Sequence, residues 1–278
     1  MLHDSDISPL TRIVARLDRA ADGEITSDVI PTRFPSIDRA IGGGLRRGDL
    51  IVMGGDDSVG SSALALAIAL RAEPRALVLS SEMQPERVYE RALALSARVP
   101  MESLRLGTVT EEERARLAAA ALSLRDRAPV VDTFMNGGLA NIEQAVDATP
   151  DAALVIVDTL DGLLDRDHGQ EEALRYAVLA LKRMALKRHV AVLLTTHLPA
   201  LDRDRQDRRP RLTDFGLGGT VGGQADLVLG LYREEMYDFD HGVSGGAELL
   251  ILKNRDGARG YVDLYFDARY GRFEDVLE

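Results

Sequence analysis

The strongest constraint on the fold is a repeated alternation between apolar runs of strand length and longer stretches with helical spacing. The predicted strands cover residues 49–54, 75–80, 128–133, 153–159, 190–196 and 225–232. The predicted helices between them include residues 61–72, 85–99, 110–127, 141–148 and 170–189. Strands that are apolar throughout are buried on both faces, and helices in the connections cover those faces. We therefore expect an α/β fold with a mostly parallel, twisted sheet flanked by helices.

The two ends of the chain depart from this alternation. Residues 8–20 place apolar side chains at helical spacing, and a polar stretch follows as far as Pro31. Residues 247–253 and 260–267 have the pattern of two strands joined by a turn, which predicts a C-terminal antiparallel hairpin. We expect an N-terminal arm over residues 1–31, with its helix at about 8–20, and one domain over residues 32–278.

Composition narrows the classes of protein further. The 278 residues carry a net charge of −11 and are 45% hydrophobic, which suits a globular domain and excludes disorder. The chain has no cysteine, so disulfides, thiolate metal sites and cysteine nucleophiles are excluded. The acidic N-terminus and the absence of a long apolar run predict a cytoplasmic protein with no membrane partner. The acidic balance also argues against indiscriminate binding of DNA.

A glycine-rich turn follows the first strand and opens a helix. Its sequence is GGDDSVGSS over residues 54–62, in the setting where G-x-x-x-x-G-K-[ST] cradles a phosphate with backbone N–H groups. Gly55 and Gly60 hold the glycine positions, and Ser62 supplies the hydroxyl that would face Mg²⁺. Together with Ser58 and Ser61, these residues form the predicted nucleotide-binding set.

The lysine of that motif is missing, because Ser61 stands in its place. The lysine normally reaches the β- and γ-phosphates and offsets their charge. Asp56 and Asp57 add negative charge to the same turn, which opposes the binding of a triphosphate. A tight turn into a buried helix would account for the glycines without any ligand.

Few side chains could replace that lysine. The chain contains three lysines, Lys182, Lys187 and Lys253, and none lies near the turn in sequence. Arg46 and Arg47 precede the first strand and would approach from the wrong end of the sheet.

Seven further strings make a family resemblance specific through their order and spacing. They are FPSIDRAIGGGLRRGDLIVMGG at 34–55, SSEM at 80–83, LVIVDTLDGL at 154–163, RRPRLTDF at 208–215, QADLVLGLYREEMY at 224–237, LKNRDG at 252–257 and RFEDV at 272–276. The chain resembles the C-terminal RecA-type motor domain of DnaB-family replicative helicases, with the linker helix that precedes it. The resemblance implies a RecA-like P-loop NTPase core that uses ATP and Mg²⁺.

The resemblance also implies roles for residues at the strand ends. Glu82 matches the glutamate that polarises the attacking water, although it could instead cap the following helix. Asp158 matches the aspartate that orients Mg²⁺, together with Ser62. His197 stands at the family's polar sensor position, where it either donates to a phosphate oxygen or caps a strand.

Lys253 and Arg255 match the hairpin pair that reaches a neighbouring subunit's γ-phosphate. The match implies a homo-oligomeric ring such as a hexamer, and an arginine supplied in trans is worth about 10³–10⁵ in rate. Ordinary cross-strand charge pairing is the alternative.

Two loops match the segments that hold single-stranded DNA in the ring channel. The first covers residues 165–169 and the second about 198–223. Acidic residues interleave the arginines of the second loop, and a solvated surface loop is the alternative that this charge pattern slightly favours. The predicted DNA contacts are Arg203, Arg205, Arg208, Arg209 and Arg211.

Three hypotheses for function follow. The first is a degenerate, weak or inactive ATPase that serves as a structural or regulatory partner in replication-type processes, assembling with itself or with an active helicase. The second is an active ATP-dependent helicase with an unusual phosphate loop. The third is a sensor that binds a nucleotide without turnover.

Overall fold

The computed structural model describes residues 8–22, 28–134, 138–163, 170–198, 205–216, 219–238 and 242–276. Within this part of the chain the helices are α1 (Pro9–Ala21), α2 (Pro35–Ile41), α3 (Ser61–Ala69), α4 (Pro85–Ala97), α5 (Met101–Leu106), α6 (Glu111–Leu124), α7 (Gly138–Ala148), α8 (Gln170–Arg188) and α9 (Thr220–Gln224). The strands are β1 (Val29–Ile30), β2 (Leu45–Arg46), β3 (Leu50–Gly55), β4 (Leu77–Ser80), β5 (Val130–Thr133), β6 (Leu154–Asp158), β7 (Ala191–His197), β8 (Leu227–Tyr232), β9 (Gly246–Asn254), β10 (Gly260–Asp267) and β11 (Arg272–Asp275). Short 3₁₀ helices cover Leu160–Leu163, Leu212–Asp214 and Glu234–Met236.

A nine-stranded sheet forms the centre, in the order β11-β10-β9-β8-β3-β7-β6-β4-β5. The strands from β8 to β5 in that order are parallel, and β9, β10 and β11 are antiparallel. All six residues of β3 are buried, since β7 and β8 pair with it on both sides. The predicted α/β class with a mostly parallel sheet is therefore confirmed.

Helices cover both faces of this sheet. On one face α3 contributes an unbroken buried segment from Leu64 to Ala69, and α4 packs beside it through Val88 and Leu95. On the other face α7 and α8 pack against the alternate side chains of the same strands. Because β3, β4, β6, β7 and β8 are parallel, the loops after them meet at one edge of the sheet.

The C-terminal segment holds one strand more than expected. The sequence predicted a two-stranded hairpin, and the structure adds β11, which pairs Phe273 with Phe266 of β10. The two rings lie 4.6 Å apart between centroids. The extra strand was missed because its segment, RFED, has a single apolar residue and lacks an alternating pattern.

Short elements precede the sheet and were also missed. Strand β1 pairs with β2 and begins inside the predicted polar arm. Helix α2 begins at Pro35 and ends at Ile41, and Gly42, which follows it, has a φ of 84° that suits the left-handed position after a helix. Helix α1 agrees with the predicted helix at about 8–20, and its Arg16 forms an ion pair with Asp28.

Among the described helices, none combines the length and apolarity required to cross a lipid bilayer.

Candidate functional site

The glycine-rich turn joins β3 to α3 at the carboxyl edge of the sheet. A Cβ on Gly55 would lie 2.5 Å from the carbonyl oxygen of Leu231. Gly60 has a φ of 109°, and a Cβ there would lie 3.0 Å from the ring of Phe273. The tight packing around both residues explains why the turn needs glycine at these positions.

Ser62 and Asp158, the predicted metal-site residues, are in direct contact. The Ser62 hydroxyl donates to Asp158 Oδ1 at 2.7 Å, and the Thr195 hydroxyl donates to the same oxygen at 2.6 Å. Asp158 is only 4% exposed, so these two hydroxyls satisfy a buried carboxylate. Thr195 was not predicted, although its place near the end of β7 is a signal that could have identified it.

A hydroxyl and a single carboxylate suit Mg²⁺, which usually takes one or two protein ligands and completes its shell with water and phosphate oxygens. In the described residues no group of three or more His, Cys, Asp or Glu side chains is arranged to hold a metal ion. The pair Ser62 and Asp158 therefore fits a metal that arrives with a phosphorylated ligand, and does not fit a stand-alone metal centre.

Glu82 lies two residues after β4, whose last residue, Ser80, pairs with Asp158 in the sheet. The backbone N–H groups of Glu82 and Met83 donate to the Ser80 hydroxyl at 3.2 and 3.1 Å. The end of β6 is joined to the end of β4, since the Ser81 N–H donates to the Asp158 carbonyl at 2.7 Å. The residue that precedes α4 is Gln84, so Glu82 is not the N-cap of that helix.

His197 ends β7, opposite Gly55 in the sheet. Its Nδ1 lies 3.2 Å from Asp161 Oδ2, in the 3₁₀ helix after β6. The ring also borders the same cavity as the turn, and its role as a polar sensor stays a prediction.

A cavity of about 810 Å³ brings the predicted residues together. Its walls come from the turn, from the ends of β4, β6 and β7, from α4 and α5, and from the β10–β11 connection. Among the predicted residues, its lining includes Ser58, Gly60, Ser61, Ser62, Glu82, Asp158 and His197. The volume is in the range of sites for small organic ligands.

The two acids of the turn differ in environment. Asp56 Oδ2 accepts a hydrogen bond of 2.8 Å from the Tyr237 hydroxyl, whereas Asp57 is exposed. Tyr237 stacks on Tyr232, with ring centroids 5.6 Å apart. Burial, followed by the contact with Asp56, raises the pKa of Tyr237 above its usual range. No local pattern indicated that residues so far apart in the chain would pair.

The basic residues considered as lysine replacements lie at the opposite edge of the sheet. Lys182 Nζ donates to the Gly48 carbonyl at 2.8 Å, just before β3 begins. Arg46 pairs with Asp256 at 2.9 Å, beyond the end of β9. The six residues of β3 separate these groups from the turn by ~17 Å. Arg46 therefore lies at the wrong end of the sheet for the turn, as its place before the first strand predicted, and Lys182 lies at the same end.

Lys253 and Arg255 occupy that same opposite edge. Arg255 Nε lies 2.7 Å from Asp226 Oδ1, and Asp226 is 3% exposed. Lys253 Nζ donates to the carbonyls of Gly222 and Gly223 at 3.1 and 2.8 Å, and burial followed by Arg255 lowers its pKa. Neither residue can reach the turn of its own chain.

Asp226 was not predicted to have any role. Besides Arg255, it accepts from the Leu50 N–H at 2.9 Å and from Lys182 Nζ at 2.5 Å. The sequence predicted possible cross-strand pairing for Arg255, and the structure gives it this buried partner at the start of β8.

The arginines predicted to bind DNA make contacts within the chain. Arg205 pairs with Asp214 at 2.9 Å, and Arg209 makes two bonds to Glu248, at 2.6 and 2.5 Å. The guanidinium of Arg208 lies over the Tyr237 ring, 5.5 Å from its centroid.

The other residues predicted to contact DNA are either exposed or outside the described part of the chain. Arg211 is exposed, and its backbone N–H donates to Asp214 at 2.7 Å. Arg203 and residues 165–169 lie outside the described residues.

Comparison with known proteins agrees with the resemblance. The family model for the DnaB-like helicase C terminal domain matches residues 29–275. Replicative DNA helicase DnaB of Geobacillus stearothermophilus is 29% identical over 92% of this chain and 58% of its own length. The corresponding helicase DnaC of Bacillus subtilis is 29% identical over 91% of this chain and 58% of its own length. The chain thus spans about three fifths of the length of these curated relatives.

Solved structures support the same fold. A solved ATPase domain has a TM-score of 0.86 at 22% identity, and the alignment covers 98% of this chain and 100% of that one. A DnaB-like replicative helicase, described with its interactions with primase, has a TM-score of 0.85 at 24% identity over 98% of this chain and 68% of that one. The RadB recombinase reaches 0.55 at 18% identity over 88% of this chain and 99% of that one.

Proposed function

Because the chain belongs to the family of DnaB-like helicase C-terminal domains, we propose that it is a degenerate motor domain that acts as an assembly partner in DNA replication-type processes. The observation that carries this proposal is the serine at position 61. The fold of the phosphate loop is kept, while its lysine is absent and Lys182 and Lys253 lie at the far edge of the sheet. Phosphoryl transfer depends on positioned positive charge, so the loss lowers turnover strongly.

Assembly is supported by two features, an arginine at the edge of the sheet opposite the loop and an exposed apolar stripe on a helix. Arg255 is 58% exposed, and from the amino edge of the sheet it could serve only a neighbour's site. Helix α1 carries a stripe of exposed apolar side chains with no cover in the described part of the chain: Leu10 at 70%, Ile13 at 46%, Val14 at 49% and Leu17 at 59%. An amphipathic helix of this kind gains stability when a second protein surface covers it.

The first experiment measures ATP hydrolysis by the purified chain, with and without single-stranded DNA. We expect turnover at or near background in both conditions. Hydrolysis that is stimulated by DNA and abolished by Glu82→Gln would contradict the proposal.

A second experiment measures assembly by light scattering. The wild-type chain, alone or mixed with a DnaB-type helicase, is expected to form species larger than a monomer. The variant Leu10→Ser/Leu17→Ser should reduce this association, whereas Leu122→Ser, which alters an exposed leucine of α6, should not. A strictly monomeric wild-type protein in both settings would contradict an assembly role.

A repair experiment isolates the missing lysine. The double variant Ser61→Lys/Asp57→Asn restores the cation and removes the exposed acid, while Asp56 keeps its bond to Tyr237. If the remaining site is sound, this variant should gain ATPase activity over Ser61→Ala. An unchanged background rate in the repaired variant would mean that the lysine is not the limiting defect.

The second candidate function is an active DNA-dependent motor. It is favoured by the contact of Ser62 with Asp158 and by the position of Glu82 on the same cavity. Bound ATP with Mg²⁺ would supply the phosphoryl group, while Ser62 and Asp158 held the metal and Glu82 oriented a water. The hydrolysis experiment described above decides between the two candidates.

A further inference from the structure

The cavity beside the phosphate loop has a feature that the loop itself lacks, which is positive charge. Arg87 and Arg91 of α4 and Arg105 of α5 line its walls. All three residues are exposed. Within the described residues, none of the three guanidinium groups donates a hydrogen bond or forms an ion pair. They are therefore available to an incoming anion.

Two of these arginines are close together because of helix geometry. Arg87 and Arg91 are four residues apart, so they lie on the same face of α4, one turn from each other. Val88 and Leu95 of the same helix are buried against the core that α3 shares, which fixes the position of α4 beside α3.

The first turns of α3 and α4 point to the same edge of the sheet, because β3 and β4 are parallel members of it. Ser61 and Ser62 occupy the first turn of α3, and Arg87 occupies the first turn of α4. The cavity extends between these helices and is bordered by residues of both.

Another arginine near the loop is already engaged. Arg233 is 9% exposed, it forms an ion pair with Glu235, and its Nη1 lies 3.5 Å from the Ser58 carbonyl. Its guanidinium therefore contacts the backbone of the loop, and it is not among the residues that line the cavity. Asp56 is likewise engaged, through the Tyr237 hydroxyl.

We propose that Arg87 and Arg91 supply the positive charge lost at Ser61, so that the cavity binds the diphosphate or triphosphate of a nucleotide between the loop and α4. The proposal rests on the proposed function, because it concerns the phosphate loop of a degenerate motor domain. A guanidinium can donate two parallel hydrogen bonds to one phosphate, and the amides at the start of α3 supply further donors. A lysine placed inside the turn is then unnecessary for binding, although it would still be missing for transfer.

Carboxylates on the same walls determine which anions this site can bind. Glu82, Glu90 and Glu102 also line the cavity. They disfavour an anion that carries no compensating cation, so the ligand should bind with Mg²⁺, for which Ser62 and Asp158 are placed. This explains how an acidic chain can present a polyphosphate site.

The test measures the affinity of a fluorescent ADP analogue, with Mg²⁺, for the full chain. The variants are Arg87→Ala, Arg91→Ala and the double variant, and the matched control is Arg114→Ala, which removes an exposed arginine of α6 away from the cavity. Because each single variant loses charge-assisted hydrogen bonds to phosphate, it should bind more than about 10-fold more weakly than the control. Thermal unfolding of every variant verifies that it is folded, and Arg87→Lys/Arg91→Lys should recover part of the affinity.

Inorganic tripolyphosphate separates recognition of phosphate from recognition of the base and ribose. It should displace the ADP analogue from wild-type protein, since the arginines are expected to hold phosphate. The proposal is overturned if the double variant and Arg114→Ala bind equally, if tripolyphosphate fails to compete, or if the wild-type chain binds no nucleotide at millimolar concentration. None of these results alters the hydrolysis and light-scattering outcomes, which decide the proposed function separately.

Discussion

The buried carboxylate of Asp226 offers the sharpest test of which contacts stabilise the edge of the sheet opposite the glycine-rich turn. Its oxygens accept from the Leu50 N–H at 2.9 Å, from Lys182 Nζ at 2.5 Å and from Arg255 Nε at 2.7 Å. Removing this carboxylate by Asp226→Ala leaves the Leu50 N–H without its acceptor and takes the nearest carboxylate from the largely buried Lys182 ammonium, which keeps the Gly48 carbonyl and Asp49 at 3.6 Å. Breaking a buried ion pair costs about 3–5 kcal/mol, so a loss of that size in the free energy of unfolding is expected.

The matched control is Asp256→Ala, which removes an acid from the same edge of the sheet. Asp256 pairs with Arg46 at 2.9 Å, but both side chains are about half exposed, at 55% and 49%. An exposed pair of this kind contributes about 0–1 kcal/mol. The control therefore removes an exposed carboxylate with one ion pair, at the same edge as a buried carboxylate with three partners.

Thermal unfolding followed by circular dichroism measures the difference. In a domain of this size each kcal/mol shifts Tm by about 2–4 °C, so Asp226→Ala should lower Tm by about 6–20 °C and Asp256→Ala by less than about 4 °C. Asp226→Asn keeps an acceptor for Leu50 and should fall between them. Equal Tm values for the two alanine variants would refute the reasoning that the buried contacts of Asp226 stabilise this edge.

Two further predictions concern the phosphate loop. Tyr237→Phe should cost about 0.5–1.5 kcal/mol at neutral pH through the lost bond to Asp56. Folding raises the pKa of Tyr237 above its ordinary value of 10.0, so its contribution is complete below that pH and is lost as the pH rises beyond it; a pH series of urea titrations should show a steeper alkaline decline for wild type than for Tyr237→Phe, and parallel curves would contradict this. Gly60→Ala should destabilise the chain by about 1–3 kcal/mol, because φ is 109° and the Phe273 ring lies 3.0 Å from the new Cβ, whereas Gly223→Ala, with no atom within 4 Å, should cost much less in the same titration.

The fold class could be predicted because it depends on a pattern that is local in sequence. Strands buried on both faces must be apolar at every position, and β3, β6 and β8 show this without reference to any partner. The convergence of the glycine-rich turn, Ser62 and Asp158 could also be predicted, since the ends of parallel strands meet at one edge whatever the details of packing. Strand β11 was not accessible, because its pairing with β10 and not its own sequence defines it.

What the sequence determined alone is that the glycine-rich turn carries no lysine, and so lacks that positive charge, and that the three lysines present lie in other elements. What could replace that charge was decided only by tertiary structure. Arg87 and Arg91 have the spacing of an exposed helical pair, and they become part of the site because α4 packs beside α3. Asp56 and Tyr237 meet across 181 residues, and Asp226 meets Lys182 across 44. The charge balance of a site depends on distances through space, and local sequence patterns do not specify those distances.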